Sequence, residues 1–290
     1  MLLGPVEVRL LSQVDRGADL FLAVHDLVGG RKLDCPPAGA APTVPAMPAD
    51  APTILATSGG IGPGRRRCLG FTALADYAVE LSGVTGRPPR VCMLATAMGD
   101  DKAVLHYLTE AAQVRGFVPS HVALFPMPTV DDVTAHLLEQ DVVWVFGGSV
   151  AGLLAMWRLH GVDEALRTAW QAGVVLTGIS AGSICWHAGG TTDSFGPQLR
   201  PITNGLGFLP YANGVHYDSE DQRRPLLHEL VGTAVLPSAF ATDDGAGVVY
   251  RGTQFVEAVA ENDTAGAYFV ERRDAAAVAE TALDVRRLLH

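Results

Sequence analysis

Residues 141–184 read DVVWVFGGSVAGLLAMWRLHGVDEALRTAWQAGVVLTGISAGSI, and their pattern predicts a fold class. The apolar runs DVVWVF (141–146) and VVLT (174–177) are typical of buried strands, and amphipathic helical segments lie between them. Each run is followed directly by glycine: the GG dipeptide (147–148) follows the first run, and GISAG (178–182) follows the second. Alternating strands and helices of this kind predict a parallel sheet that is covered by helices.

The same alternation extends along most of the chain. Strands are predicted at residues 53–57, 90–96, 122–125, 141–146 and 174–177, and helices at residues 71–81, 101–115, 130–140, 151–160 and 162–172. Short strands follow at 239–242, 247–250, 255–260 and 267–272, and an Ala-rich closing helix is predicted at 274–289. We therefore expect an α/β fold of three layers: a mostly parallel sheet with helices on both faces and a small antiparallel extension.

The N-terminal part differs in composition from the rest. Residues 35–52, CPPAGAAPTVPAMPADAP, are rich in Pro and Ala and are typical of an extended linker. We therefore expect residues 1–50 to form an extension and linker, and residues 51–290 to form the domain that carries the chemistry. Met47 lies shortly before the first convincing strand, at 53–57, so one hypothesis places the native start there and makes residues 1–46 an upstream extension.

The composition argues against several classes of protein. The net charge of −10 argues against nucleic-acid binding and against attraction to anionic membranes. No apolar run approaches the roughly 18 residues that a membrane-spanning helix needs. The four cysteines are scattered without a C-x-x-C pair, which argues against a zinc site and a disulfide framework and favours the reduced cytoplasm.

The GISAG turn places Ser180 between Gly178 and Gly182, where a strand passes into a helix. The glycines permit a sharp turn that exposes the serine hydroxyl at its apex, as in the nucleophile elbow of hydrolases. The alternative is a tight turn in which Ser180 only caps the helix. The motif alone supports both interpretations equally.

A serine nucleophile requires a base and a group that orients this base. The candidate base is His216, which lies in a loop region. His187 is closer in the sequence, but a helix would carry it two turns away from Ser180. Spacing alone does not choose among the candidate orienting carboxylates, which are Asp193, Asp218, Asp243 and Asp244.

Two backbone N–H groups are candidates for an oxyanion hole. Gly148 ends the GG dipeptide after one predicted strand, and Ala181 directly follows Ser180 after the next. If the two strands are neighbours, both N–H groups can stabilise the same developing oxyanion. A glycine pair that only forms the turn into the next helix explains the local sequence equally well.

Taken in order, these motifs resemble those of the peptidase E (aspartyl dipeptidase) and cyanophycinase family of serine hydrolases. The resemblance rests on VVWVFGGSVAGLLAMWRLHGVDEALRTAWQAG (142–173), VVLTGISAGSICWHAGGTTDSFG (174–196) and GLGFLPYANGVHYDSEDQRRP (205–225), and it extends over residues 53–270. It implies a fold like that of a class I glutamine amidotransferase domain, with serine in place of cysteine at the elbow. Residues 51–290 would then be a peptidase E-like catalytic domain.

The resemblance also implies roles for individual residues. By position, Ser180 matches the nucleophile, His216 the base and Asp193 the acid, and the oxyanion-hole donors fall on Gly148 and Ala181. The third acid is left open between Asp193 and the other carboxylates named above.

Contacts to the substrate are implied at three further positions. In the dipeptidase branch an arginine after the histidine loop is implicated in holding the substrate carboxylate, and Arg223 and Arg224 lie in the matching region. A guanidinium group suits that role because it can bind a carboxylate through two parallel hydrogen bonds. Many relatives carry Asn after the glycine pair, whereas this chain has Ser149, so its contacts to substrate are expected to differ.

The resemblance implies a serine-type peptidase that cleaves a small peptide, such as an N-terminal aspartyl dipeptide, through a Ser-His-Asp triad and an acyl-enzyme. No metal or organic cofactor is expected. The expected binding partner is the small peptide substrate, and binding to nucleic acid or to a membrane is not expected. A homodimer is the oligomeric state considered. Two alternatives stay open: a non-peptidase amide hydrolase or amidotransferase-like enzyme on the same fold, and a catalytically silent binding protein.

Overall fold

The structure is a computed structural model that describes residues 49–64, 69–273 and 277–288. The expected N-terminal extension falls on residues 1–50, of which only the last two are described, and the hypothesis about Met47 lies outside the described residues. Within the described ranges, no helix is both long enough and apolar enough to cross a membrane.

Strands and helices alternate through the first two thirds of the described chain, as the sequence predicts. The strands are β1 (Thr53–Thr57), β2 (Ile61–Gly62), β3 (Gly70–Phe71), β4 (Arg90–Leu94), β5 (Val118–His121), β6 (Val142–Val145), β7 (Val175–Ile179), β8 (His187–Thr192), β9 (Arg200–Ile202), β10 (Leu209–Gly214), β11 (Ala239–Thr242), β12 (Ala246–Arg251), β13 (Gln254–Ala260), β14 (Ala267–Arg272), β15 (Val278–Ala282) and β16 (Val285–Arg287). The helices are α1 (Ala73–Ser82), α2 (Lys102–Val114), α3 (Val133–Leu138), α4 (Val150–His160), α5 (Val162–Gln171), α6 (Ala181–Ile184) and α7 (Arg223–Gly232), and a short 3-10 helix covers Thr96–Met98.

The largest sheet has eight strands in the order β16-β13-β12-β1-β7-β6-β4-β5. From β1 to β5 all neighbouring strands run parallel. On the other side of β1, strands β12 and β13 are antiparallel. The carboxyl ends of the parallel strands therefore meet at one edge, where sites form in open α/β sheets.

Both faces of this sheet are covered. Leu55 and Trp144 belong to an apolar cluster with α1 and α2 on one face. Their chain neighbours Ile54 and Val143 belong to a second cluster, which contains α4 and α5, on the opposite face. Successive strand residues point to opposite faces, so the continuous apolar runs of these strands are explained by burial on both sides.

Beyond the antiparallel strands β12 and β13, the structure contains a second sheet of six strands in the order β15-β14-β11-β10-β8-β9, which the sequence did not predict. This sheet is mixed, since β10 runs parallel to both β8 and β11. The predicted closing helix is wrong in its described part, since residues 278–282 and 285–287 are strands β15 and β16. β15 pairs along its length with β14, and β16 pairs with β13. Pairing with an open sheet edge here outweighs the helix propensity of alanine.

His187 connects the two sheets. It begins β8, two residues after Cys185, the C-cap of the short α6, and so does not lie on a helix as the sequence predicted. The ring is fully buried and packs edge-on against Tyr250 of β12, with 5.7 Å between the ring centroids. Nδ1–H donates to the Ser183 carbonyl at 2.9 Å, and Nε2 accepts from the Tyr250 hydroxyl at 3.3 Å. Burial lowers the pKa of His187 to about 4, so the ring is neutral at pH 7.

We expect the free energy of unfolding to fall between pH 7 and pH 5 because of His187. The unfolded chain binds this proton with a pKa near 6.5, whereas the folded chain resists it until about pH 4. The stabilisation is complete above the unfolded pKa and is lost as the pH falls, by about 2 kcal/mol at pH 5. Urea unfolding at both pH values should show this loss in the wild type and in a His160→Gln control, whose histidine is exposed. If the His187→Gln variant lost the same free energy of unfolding between pH 7 and pH 5, His187 would not be the cause of the loss.

Candidate active site

Ser180 forms a strained turn between β7 and α6. Its backbone has φ 57° and ψ −114°, a conformation that residues other than glycine rarely adopt. A Cβ built on Gly178 would lie 2.5 Å from the carbonyl oxygen of Val145, and one built on Gly182 would overlap the same oxygen. Glycine is therefore required at both positions for this turn to pack against β6. This is the geometry of a nucleophile elbow, which exposes the serine hydroxyl.

The GG turn after β6 lies directly beside this elbow. β6 and β7 are parallel neighbours, which is the condition that the predicted oxyanion hole required. A Cβ built on Gly147 would lie 3.1 Å from the Cβ of Ser180. The backbone N–H groups of Gly148 and Ala181 donate to no other residue in the described part of the chain. Both candidate donors are thus available to a bound oxyanion.

The end of β1 holds both Ser180 and His216. The N–H of Ser180 donates to the carbonyl of Thr57 at 3.2 Å. The N–H of His216, in the loop after β10, donates to the hydroxyl oxygen of Ser58 at 3.1 Å. The candidate nucleophile and the candidate base are therefore anchored to consecutive residues.

Ser58 has a role that the sequence did not reveal. Its hydroxyl oxygen lies 2.7 Å from the hydroxyl oxygen of Thr242, and it accepts the N–H of His216. Through these contacts it joins β1 to the end of β11 and to the histidine loop. The only sequence signal was its position at the start of the glycine-rich turn after a strand.

Among the four candidate carboxylates, the one whose side chain contacts His216 is that of Asp244. Nδ1–H of His216 donates to Oδ1 of Asp244 at 2.5 Å. A carboxylate only accepts hydrogen bonds, so the proton of the neutral imidazole is fixed on Nδ1. Nε2 is then the nitrogen that can accept a proton from a nucleophile.

Asp193 does not take this place. It is exposed in the loop between β8 and β9, where its carbonyl accepts from the N–H of Gly196 at 2.9 Å, and no described contact joins it to His216. Asp244, one of the alternatives left open, is the candidate acid whose side chain contacts His216 in the structure. The turn between β11 and β12 brings Asp244 to His216, and sequence spacing does not show which turn approaches the base.

The other two candidate carboxylates, Asp218 and Asp243, accept hydrogen bonds from backbone N–H groups. Oδ1 of Asp218 accepts the backbone N–H of Asp244 at 2.9 Å and so fixes the turn that carries it. Asp243 is buried, and its Oδ2 accepts from the N–H of Gly266 at 2.8 Å. Burial raises the pKa of Asp243. Neither side chain hydrogen bonds to His216 in the described structure.

The candidate substrate contacts differ in availability. Ser149 caps α4, since its hydroxyl oxygen accepts from the N–H of Gly152 at 3.1 Å. Arg223 is buried and donates to the Thr191 carbonyl and to Glu220. Its guanidinium is therefore used within the protein.

Arg224 has the more accessible guanidinium of the two. Its side chain is 45% exposed and lies over the rings of Tyr217 and Tyr268, at 4.5 and 4.7 Å from their centroids. Nε lies 3.5 Å from Glu280, which partly balances its charge. Arg224 therefore stays the candidate for a substrate carboxylate.

Two cysteines lie in the described part of the chain, and both are buried. Cys185 lies close to the elbow, but burial raises the pKa of its thiol well above the ordinary value, which disfavours the reactive thiolate. Cys92 is likewise buried, and its pKa is raised to about 12. Among the described residues, no group of three or more His, Cys, Asp or Glu side chains could hold a metal ion.

A surface cavity of about 430 Å³ lies along α4. It begins two residues after Ser149, at Ala151, whose N–H donates to the hydroxyl oxygen of Ser194 at 3.3 Å. Arg158 and Phe195 also line it. A volume of this order is typical of sites for small ligands.

Comparisons of sequence connect this site to known proteins. The family model described as Peptidase family S51 matches residues 67–258, which is more than half of the chain. The uncharacterized peptidase YgaJ of Bacillus subtilis (strain 168) is 42% identical over 182 residues, which cover 63% of this chain and 78% of that protein.

Two solved structures share the fold, each at 15% identity. A peptidase from an acI-B1 Actinobacterium has a TM-score of 0.56 and covers 80% of this chain and 95% of its own. A putative peptidase E protein from Listeria monocytogenes EGD-e has a TM-score of 0.52 and covers 70% of this chain and 96% of its own. The two solved structures show only a shared fold, whereas the sequence matches show the family: the chain belongs to peptidase family S51 and is a serine-type peptidase.

Proposed function

We propose that this peptidase cleaves small peptides through an acyl-enzyme, with Ser180 as nucleophile, His216 as base and Asp244 as orienting acid. The observation that carries the proposal is that the N–H groups of the strained Ser180 and of His216 are both held at the end of β1, by the Thr57 carbonyl and the Ser58 hydroxyl. The hydrogen bond from His216 to Asp244 supports it, because that bond leaves Nε2 free to act as a base.

In the first half of the reaction, Nε2 of His216 takes the proton of the Ser180 hydroxyl as Oγ attacks the scissile carbonyl carbon. The carbonyl oxygen becomes an oxyanion, which accepts hydrogen bonds from the N–H groups of Gly148 and Ala181. The tetrahedral intermediate then collapses, the C–N bond breaks, and His216 gives its proton to the leaving amine.

In the second half, water takes the place of the amine. His216 removes a proton from this water as its oxygen attacks the ester carbon, and it returns the proton to Oγ of Ser180 when the acyl–oxygen bond breaks. Asp244 stabilises the imidazolium formed in both halves. The free enzyme and a carboxylic acid product result.

The substrate class that we propose is the dipeptide or short peptide, with N-terminal aspartyl dipeptides as the first case. Arg224 supports this class, since a guanidinium group with nearly half of its side chain exposed can bind a substrate carboxylate.

A substrate panel tests the proposal. We expect the wild-type protein to release amine from Asp-X dipeptides, with isoaspartyl peptides and cyanophycin tested in parallel. Hydrolysis confined to non-peptide amides would instead support the amide hydrolase or amidotransferase-like alternative. If no substrate is turned over and a fluorophosphonate probe labels nothing, the result would support a binding protein.

A further inference from the structure

Met98 lies against the glycine that we propose as an oxyanion donor. A Cβ built on Gly148 would lie 3.0 Å from the sulfur of Met98. The backbone is fixed at the same place, since the carbonyl of Ala97 accepts the N–H of Ser149 at 2.9 Å. Despite this position, Met98 is 46% exposed. An apolar side chain therefore borders the point where a scissile carbonyl would bind.

A second exposed apolar side chain, that of Phe125, lies on a segment that is hydrogen bonded to Asp100, close to Met98 in the sequence. Phe125, in the segment after β5, is also 46% exposed. The buried carboxylate of Asp100 accepts the N–H groups of Leu124 at 2.5 Å and Phe125 at 3.2 Å. Asp100 is two residues from Met98, so one side chain ties the segments after the neighbouring strands β4 and β5 together.

The position of Met98 indicates which part of a bound substrate would cover its side chain. A carbonyl oxygen that accepts from Gly148 brings the residues on either side of the scissile bond into contact range of the Met98 thioether. Exposed apolar atoms beside a reacting centre gain free energy when an apolar group covers them. A methionine side chain is flexible and polarizable, so it adapts to apolar groups of different shapes.

We propose that Met98, together with Phe125 on the segment that Asp100 binds, forms an apolar subsite that selects peptides carrying a large apolar side chain next to the scissile bond. The inference rests on the proposed function, because it takes Gly148 as a donor to the scissile carbonyl. It adds a preference at one substrate position to the class of small peptides.

The test compares kcat/KM for dipeptides that carry Leu, Phe or Ala, varied separately at the first and at the second position. At one position we expect the wild type to prefer Leu or Phe over Ala by about 10-fold or more, as a filled apolar pocket provides. Met98→Ala should reduce this preference at least about 5-fold and leave the Ala peptide nearly unchanged. Met98→Leu should restore it.

Leu159→Ala is the matched control, because Leu159 is exposed near the other end of α4 and should leave the profile unchanged. An unaltered preference in Met98→Ala, or no apolar preference in the wild type, overturns the subsite while peptide hydrolysis itself stands. If the wild type hydrolyses no peptide at all, the proposed function fails and the subsite fails with it.

Discussion

Replacing Ser180 with alanine is expected to abolish peptide hydrolysis, with a loss of about 10⁴-fold or more in kcat. The nearby thiol of Cys185 is not expected to form the acyl-enzyme in its place, because it is buried and its pKa is raised. The Oγ of Ser180 has no hydrogen bond to any described residue, so its removal should cost little stability. Amine release from the best substrate of the panel measures the effect.

The control for this variant is Ser219→Ala, which makes the same change at an exposed serine three residues after His216. It should keep full activity, and thermal unfolding should show similar melting temperatures for both variants and the wild type. Retained turnover in a folded Ser180→Ala protein would mean that Ser180 is not the nucleophile.

Replacing Asp244 with asparagine is expected to lower kcat by about 10⁴-fold, the size of effect seen when a triad aspartate becomes an amide. The amide group can donate a hydrogen bond to Nδ1, which would then have to accept and would shift the imidazole proton to Nε2. His216 could no longer take the proton of Ser180. The measurement is kcat and KM with the same substrate, and the loss should fall on kcat.

Asp193→Asn makes the same chemical change at the acid that the family resemblance implied. Because Asp193 is exposed and does not contact His216 in the structure, we expect its kcat to stay within about twofold of the wild type. The opposite result, a large loss at Asp193 and a small one at Asp244, would assign the acid to Asp193 and refute the triad proposed above.

The elements that sequence predicted well are those with local signals. The apolar runs of β1, β6 and β7 and the glycines after them were sufficient to predict a parallel sheet with convergent turns. The strained turn at Ser180 follows from Gly178 and Gly182, because only glycine permits the approach to β6. In each case the determinant lies within a few residues of the feature.

The details that the sequence did not predict depend on contacts between residues that are far apart in the chain. Asp244 reaches His216 only because β11 lies beside β10 in the second sheet, a contact with no local pattern. Arg223 and Arg224 look alike in sequence, yet one is buried against the Thr191 carbonyl and the other lies over two tyrosine rings. The predicted closing helix became β15 because the free edge of β14 was available.

The two anchors at the end of β1 have a mechanical consequence for the site. β1 lies in the interior of the eight-stranded sheet, between β7 and β12, and carries the backbone of Ser180 through Thr57 and of His216 through Ser58. When thermal motion displaces this strand, the nucleophile and the base move by nearly the same vector, so their separation varies less than either position. The turn that carries Asp244 shares this support, because the N–H of Gly245 donates to the Ser58 carbonyl at 3.0 Å, so the proposed orienting acid moves with the base.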